Sequence, residues 1–238
     1  MSQSKYYNAY KEFQDTMNML GRRYDLARVF DDFLSLVICS FHRTNIQSKL
    51  KQKDVDNEEL YLIIIKKYDR KAIDLFPKLL GALELSVYNK HYSDLLGDYF
   101  TQYITRGQNG QFFTPEPICE LMAQLNMSDI TKDKRVYDPA SGSGRTLLSF
   151  AKHAPDNYFF ANDVSSTCAK MTTLNFFLNG LRGEVAWMNT LSLEWYSAWQ
   201  VNCQGIGILP VSKESSILYH EKPKIKQERH NKEQLTLF

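Results

Sequence analysis

Apolar residues recur at helical intervals along the first hundred positions of the chain. Tyr10, Phe13, Met17 and Leu20 mark one face, and Leu26, Val29, Phe30, Phe33, Leu34 and Val37 mark a second. Spacings of three and four residues gather such side chains on one side of a helix. Residues 43–57 are polar and read as a loop with short helical ends. The run Leu62, Ile63, Ile64 and Ile65 fits a helix or a strand by pattern alone, and its helical surroundings favour a helix over 59–67. Further amphipathic helices are expected over 77–87 and 92–105. Gly107, Gln108, Asn109 and Gly110 then interrupt the chain.

Beyond that break the period changes. Pro117, in the first turn of an apolar segment that begins at Glu116, predicts a helix start. Short apolar runs at 135–137, 158–162 and 184–188 read as strands, with helices expected over 145–151 and 166–181 between them. Residues 205–209 read as a fourth strand, weakened by Gly205 and Gly207. Strands alternating with helices predict an α/β fold. The last 26 residues, 213–238, hold six Lys/Arg and four Glu, too little apolar surface to pack, and read as a solvated tail.

Composition narrows the class only a little. At 238 residues the chain can hold one sizeable core, and 43% hydrophobic with 24% charged residues is ordinary for a soluble protein. No apolar run approaches a membrane span and no signal peptide is visible, so a cytoplasmic location is expected. A net charge of +2 does not announce nucleic acid by bulk electrostatics. The clusters Lys49, Lys51, Lys53 and Lys222, Lys224, Lys226 are the dense cationic stretches, and solvated loop or tail lysines explain them as well. Cys39, Cys119, Cys168 and Cys203 are dispersed, which fits reduced, buried thiols. With five scattered histidines, no metal site is expected.

The candidate chemistry lies in Asp138, Pro139, Ala140, Ser141, Gly142, Ser143 and Gly144. This acidic residue and glycine-rich turn stand between the strand at 135–137 and the helix at 145–151. Glycines let a backbone approach a nucleoside ligand, and the next helix presents unpaired N–H groups. Asp163, at the carboxyl end of the second strand, suits ribose hydroxyls; a helix N-cap or a turn aspartate is the alternative, and both can hold together. Upstream stand Gly110, Gln111, Phe112, Phe113, Thr114 and Pro115, in which the aromatic pair is either ligand-facing or simple core.

Together these motifs closely resemble the adenine-N6 DNA methyltransferases, in particular the modification subunits of type I restriction systems. In that family a Gly-Glu/Gln-Phe-Tyr/Phe-Thr-Pro segment precedes an Asp-Pro-Ala-Cys-Gly-Ser-Gly loop, and Leu95 to Phe100 resembles the helix leading into the first motif. The resemblance covers roughly 90–192. It implies S-adenosylmethionine as cofactor. Gln111, Phe112, Phe113, Thr114 and Pro115 would cover its methionine end and ring; Asp138, Ala140, Ser141, Gly142, Ser143 and Gly144 would line its amino-acid portion and sulfonium; Asp163 would hold the ribose, and Asn189 would lie near the adenine. It also implies DNA as substrate. The expected organisation is a helical N-terminal domain (1–106), an incomplete Rossmann-like methyltransferase core of about four strands with flanking helices (107–212), and a disordered charged tail (213–238).

One departure bears on activity. The family carries Asn/Asp-Pro-Pro-Tyr/Phe after its fourth strand, where a side-chain oxygen and a backbone carbonyl accept hydrogen bonds from the target amino group and the ring stacks on the flipped base. No such tetrapeptide occurs in these residues; at that distance stand Leu209, Pro210, Val211 and Ser212. No catalytic residue is assigned. The tail ends in Gln234, Leu235, Thr236, Leu237 and Phe238, which resembles the bacterial sliding-clamp-binding peptide, with Gln234, Leu235, Leu237 and Phe238 as anchors. Three readings follow: a DNA methyltransferase acting alone or completed by a second subunit, a cofactor-binding module tethered to the clamp, or the remnant of a truncated methylase.

Overall fold

The computed structural model describes residues 3–43, 51–105, 113–126, 132–203 and 205–219. Six helices come first: α1 (Gln3–Gly21), α2 (Leu26–Ser40), α3 (Lys51–Ile65), α4 (Arg70–Ile73), α5 (Phe76–Asn89) and α6 (Leu95–Tyr99). A π-helical stretch, Phe100–Thr105, continues α6. Helix α3 begins inside the segment read as a polar loop. The sheet half then alternates: α7 (Glu116–Asn126), β1 (Arg135–Asp138), α8 (Arg145–His153), β2 (Tyr158–Asp163), α9 (Ser166–Leu178), β3 (Arg182–Asn189), β4 (Glu194–Val201) and β5 (Ile208–Val211).

Helix α2 is the hinge of the helical half. Asp25 caps its start by accepting from the Arg28 N–H at 2.9 Å, a contact typically worth about 1 kcal/mol. Val29, Phe30, Phe33 and Leu34 are all fully buried. Phe30 stacks on Tyr99 at 5.6 Å, Phe13 meets Tyr99 edge-on at 5.5 Å, and the Tyr99 hydroxyl donates to Asn18 at 2.8 Å. Tyr99 thus ties α1, α2 and α6 into one aromatic core.

That core does not stop at the sheet half. Cys168, Met171 and Leu174 of α9, with Ile208 of β5, belong to the same buried cluster as Phe13 and Phe33. Asp31 of α2 accepts from Thr167 and from the Lys170 ammonium, both at 2.8 Å. Where α2 ends, Arg43 N–H donates to the Ile208 carbonyl at 2.8 Å and Ile208 N–H to the Phe41 carbonyl at 3.0 Å. The boundary drawn after residue 106 therefore divides the motifs but not the core.

Among the described residues the sheet has five strands in the order β1-β2-β3-β4-β5. The first three are parallel, while β4 and β5 run antiparallel to their neighbours. Strand β2 opens on an apolar run, Tyr158 to Ala161, and its residues 159–162 are buried because both faces are covered. A Cβ on Gly183 would fall 1.6 Å from the Phe159 carbonyl oxygen, so only glycine lets β3 lie against β2. Strand β4 was not anticipated: Glu194, Ser197 and Gln200 are interspersed among its apolar residues, so it lacks the solid apolar run that marked β2. The weakened strand placed at 205–209 begins later, at Ile208, and Pro210 is accommodated because β5 is the outer strand. The tail also starts later than expected. Residues 213–219 fold over the sheet, where Ser216 Oγ donates to buried Glu184 at 2.5 Å and the Ile217 and Leu218 N–H groups reach the same carboxylate. Satisfying that carboxylate holds a polar segment in place that composition alone would release.

Candidate functional site

The glycine-rich turn leaves β1 and is held from all sides. Ser141 N–H donates to the Asn162 carbonyl at 2.9 Å, Gly142 N–H to Asp163 Oδ2 at 2.8 Å, and Gly144 N–H to the Ser141 carbonyl at 2.8 Å. Asp138 Oδ1 accepts from the Ala140 N–H at 3.0 Å. From α9, Thr172 Oγ1 donates to the Gly142 carbonyl at 2.9 Å and Asn175 Nδ2 to the Ser143 carbonyl at 2.8 Å. Thr190, after β3, donates to the Pro139 carbonyl at 2.7 Å. Gly142 (φ +55°) and Gly144 (φ +84°) adopt left-handed torsions that side chains disfavour.

The two motifs separated by about 25 residues meet. The Phe113 ring packs so closely on Gly142 that a Cβ there would approach its Cδ1 to 2.8 Å. Phe113 also stacks on Phe100 at 5.9 Å. Between these segments lies a cavity of about 380 Å³, lined by Phe113, Thr114, Asp138, Ala140, Ser141, Gly142, Ser143 and Asp163 among the residues expected there. Pro115, Gly144 and Asn189 do not line it: Pro115 leads into α7, Gly144 is the N-cap of α8, and Asn189 Oδ1 accepts from the Leu191 and Ser192 N–H groups. Gln111, Phe112 and the peptide Gln234, Leu235, Leu237 and Phe238 lie outside the described residues.

Several lining residues escaped the motif reading: Met122, Arg145, Thr146, Val164 and Cys168. Met122 comes from α7, and its place was legible only as part of that helix's apolar stripe. Val164 is set by the Trp187 indole, which donates to its carbonyl at 3.0 Å. Behind the turn, Asp94 escaped notice altogether. It accepts from Gly97 N–H, Asn175 Nδ2 and Arg145 Nε at 2.9 Å each, and from the Ser143 hydroxyl. Its one legible signal was its position as N-cap of α6, just before Leu95.

The electrostatics follow from these contacts. Burial disfavours the Arg145 charge, but Asp94 and Asp98 outweigh it and hold the guanidinium above its ordinary range. Arg145 is therefore committed behind the turn. Burial lifts the Asp163 carboxyl above the usual aspartate range, opposed by the Ser165 and Gly142 N–H groups and reinforced by the charge of Asp138. Burial raises Asp138 likewise, opposed by the Ala140 N–H. Among the described residues neither carboxylate has a cationic partner. Cys168, pushed up to about 12 by burial, stays a thiol. The cavity is thus acidic, aromatic on one wall, and open to the first turn of α8, which receives no side-chain cap. Such a site repels polyphosphates. It suits a nucleoside with hydroxyl donors and a cationic centre, and its volume lies within the roughly 300–1,000 Å³ of small-molecule sites.

The family described as N-6 DNA Methylase matches residues 87–233. The type I restriction enzyme MpnII methylase subunit of Mycoplasma pneumoniae is 23% identical over 210 residues, which cover 82% of this chain and 39% of that protein. The MjaVII methylase subunit of Methanocaldococcus jannaschii is 29% identical over 101 residues, 38% of this chain and 17% of that protein. The chain thus spans about two fifths or less of these relatives. A crystal structure of the type I restriction-modification system methyltransferase subunit from Streptococcus thermophilus aligns with 15% identity and a TM-score of 0.43, over 74% of this chain and 56% of that one.

Proposed function

The chain belongs to the N-6 DNA methylase family, and from that premise we propose that it is the cofactor-holding part of a DNA adenine methyltransferase. The observation that carries this reading is the acidic cavity where Phe113 closes on Gly142. It accommodates S-adenosylmethionine, whose positively charged sulfur carries the methyl group and leaves as a neutral thioether. Asp163 accepts from the ribose hydroxyls, Asp138 and the Phe113 face attract the cationic end, and the uncapped first turn of α8 receives the carboxylate. The Ser141 and Gly142 N–H groups contribute shape rather than donors, because the Asn162 carbonyl and Asp163 already engage them.

Transfer needs an acceptor side as well. The adenine amino nitrogen must attack the methyl carbon in line and lose a proton, which requires positioned acceptors and a stacking ring. This sequence has no Asn/Asp-Pro-Pro-aromatic tetrapeptide. Its stand-in at Pro210 is also in the wrong place: β5 lies four strands from β1, about 19 Å at 4.8 Å per strand. By itself the chain binds the donor and leaves DNA unmethylated. Calorimetry should show S-adenosylmethionine binding with no tritiated methyl incorporated into unmethylated DNA by the chain alone. Failure to bind it, or preference for an adenine nucleotide bearing phosphates, overturns the reading.

A further inference from the structure

We propose that the cavity between α2, α3 and the β4–β5 pair is a second small-molecule site, which takes a planar aromatic ligand with hydrogen-bond acceptors and no negative charge. It shares no lining residue with the cavity at the glycine-rich turn. The inference therefore stands apart from the cofactor reading.

The walls are brought together where α2 ends. Arg43 N–H and the Ile208 carbonyl join α2 to the outer strand at 2.8 Å. Asn57 Nδ2 of α3 donates to the Cys39 carbonyl of α2 at 3.2 Å. These ties set both helices beside β4 and β5 and leave a cavity of about 320 Å³. That volume falls within the roughly 300–1,000 Å³ of small-molecule sites.

The lining is aromatic on the sheet side. Trp195, Tyr196 and Trp199 come from β4 and Pro210 from β5, with Ile38 and Leu60 opposite on α2 and α3. Tyr196 and Leu60 are 41% and 46% exposed, so an apolar occupant gains by covering them. Flat rings pack on indole and phenol faces in offset or edge-on pairs, which favours a planar guest over a branched one.

Polar groups narrow the choice further. Trp195 Nε1 is buried and has no hydrogen-bond partner. Buried polar atoms are rarely left so, and an indole N–H can only donate. Its complement is an acceptor on the ligand. Lys170 is the one cation among the described lining residues, and Asp31 already holds its ammonium at 2.8 Å. Asp56 adds a carboxylate to the lining, while burial pushes the Cys39 thiol up to about 11 and keeps it neutral. An anion entering here loses its water without gaining a counter-charge.

Caffeine is a suitable probe, being flat, uncharged and equipped with acceptors but no N–H donor. The full chain is labelled with nitrogen-15, and its three indole N–H signals are assigned with Trp187→Phe, Trp195→Phe and Trp199→Phe. Trp187 serves as the internal control, because it donates to the carbonyl of Val164, which lines the other cavity. The Trp195 signal should move downfield and saturate with a Kd of about 1 mM or tighter, ordinary for so small a ligand. Trp195→Phe keeps a ring and loses the donor, so caffeine followed by the Trp199 signal should bind about three- to tenfold more weakly. Theophylline-7-acetate, the same ring system with a carboxylate, should bind about tenfold more weakly or worse. Excess S-adenosylmethionine should leave caffeine binding unchanged. The proposal is overturned by a Trp195 signal that does not saturate, by movement of Trp187 alone, or by displacement of caffeine with S-adenosylmethionine. Equal binding of the carboxylate analogue overturns it too, as does a Trp195→Phe variant that melts like the parent and binds caffeine equally well.

Discussion

Two aspartates show how differently single residues can be read. Asp163 was legible because its distance from the glycine turn is characteristic: it lines the cavity while accepting from Gly142 and Ser165 N–H groups, a turn aspartate beside the N-cap of α9, which is Ser165. Its carboxyl is raised, so it takes up a proton at a higher pH than an ordinary aspartate. Cofactor affinity should fall as pH drops through that raised value, because the neutral acid loses the charge and an acceptor. In the free protein the sign is opposite: this group's contribution to stability is greatest in acid and is lost as pH rises. Asp163→Asn should cost about 1.5–3 kcal/mol of cofactor binding and remove the acid dependence in calorimetry; a titration that matches wild type refutes the ribose role. Asp94 carried no comparable signal, since sequence cannot show that an N-cap also meets a loop some fifty residues later. With its side chain 2% exposed against Arg145 at 15%, Asp94→Ala leaves a buried guanidinium short of a partner. Chemical denaturation should show a loss of about 3–5 kcal/mol.

Among the elements, legibility followed the density of apolar residues. Strand β2 and helix α2 carry dense apolar runs because most of their residues are buried, so both could be placed from pattern. Strand β4 breaks its apolar residues with Glu194, Ser197 and Gln200, and α3 mixes exposed Val55, Leu60 and Ile63 with acids; both take their form from what they pack against rather than from their own periodicity. The packing of β3 on β2 turns on one position. Gly183→Ala sets a methyl group into the Phe159 carbonyl at 1.6 Å, and neither backbone can yield without breaking the ladder. That variant should lose the cooperative melting of the wild type in circular dichroism. A melting point within a few degrees of the parent would show the register to be misassigned.

For the molecule as a whole, the motifs suggested more independence than the packing allows. The cluster joining Phe13 and Phe33 to Met171 and Leu174, and the strand-like pairing of Phe41 and Arg43 with Ile208, fuse helical and sheet halves. Urea unfolding should therefore be a single transition, coincident by tryptophan fluorescence, which reports on the sheet, and by far-ultraviolet circular dichroism, dominated by helices. Two separated transitions would restore the boundary after residue 106. Such fusion is invisible in sequence because contacts more than a hundred positions apart leave no local period.

The outer side of β1, where no described strand pairs, has a consequence for how the protein fares once made. Extended backbone with unclaimed donors and acceptors sticks to any other extended chain. Copies left crowded with that edge open are the ones that clump or are degraded, so the yield of usable protein should fall as its concentration rises.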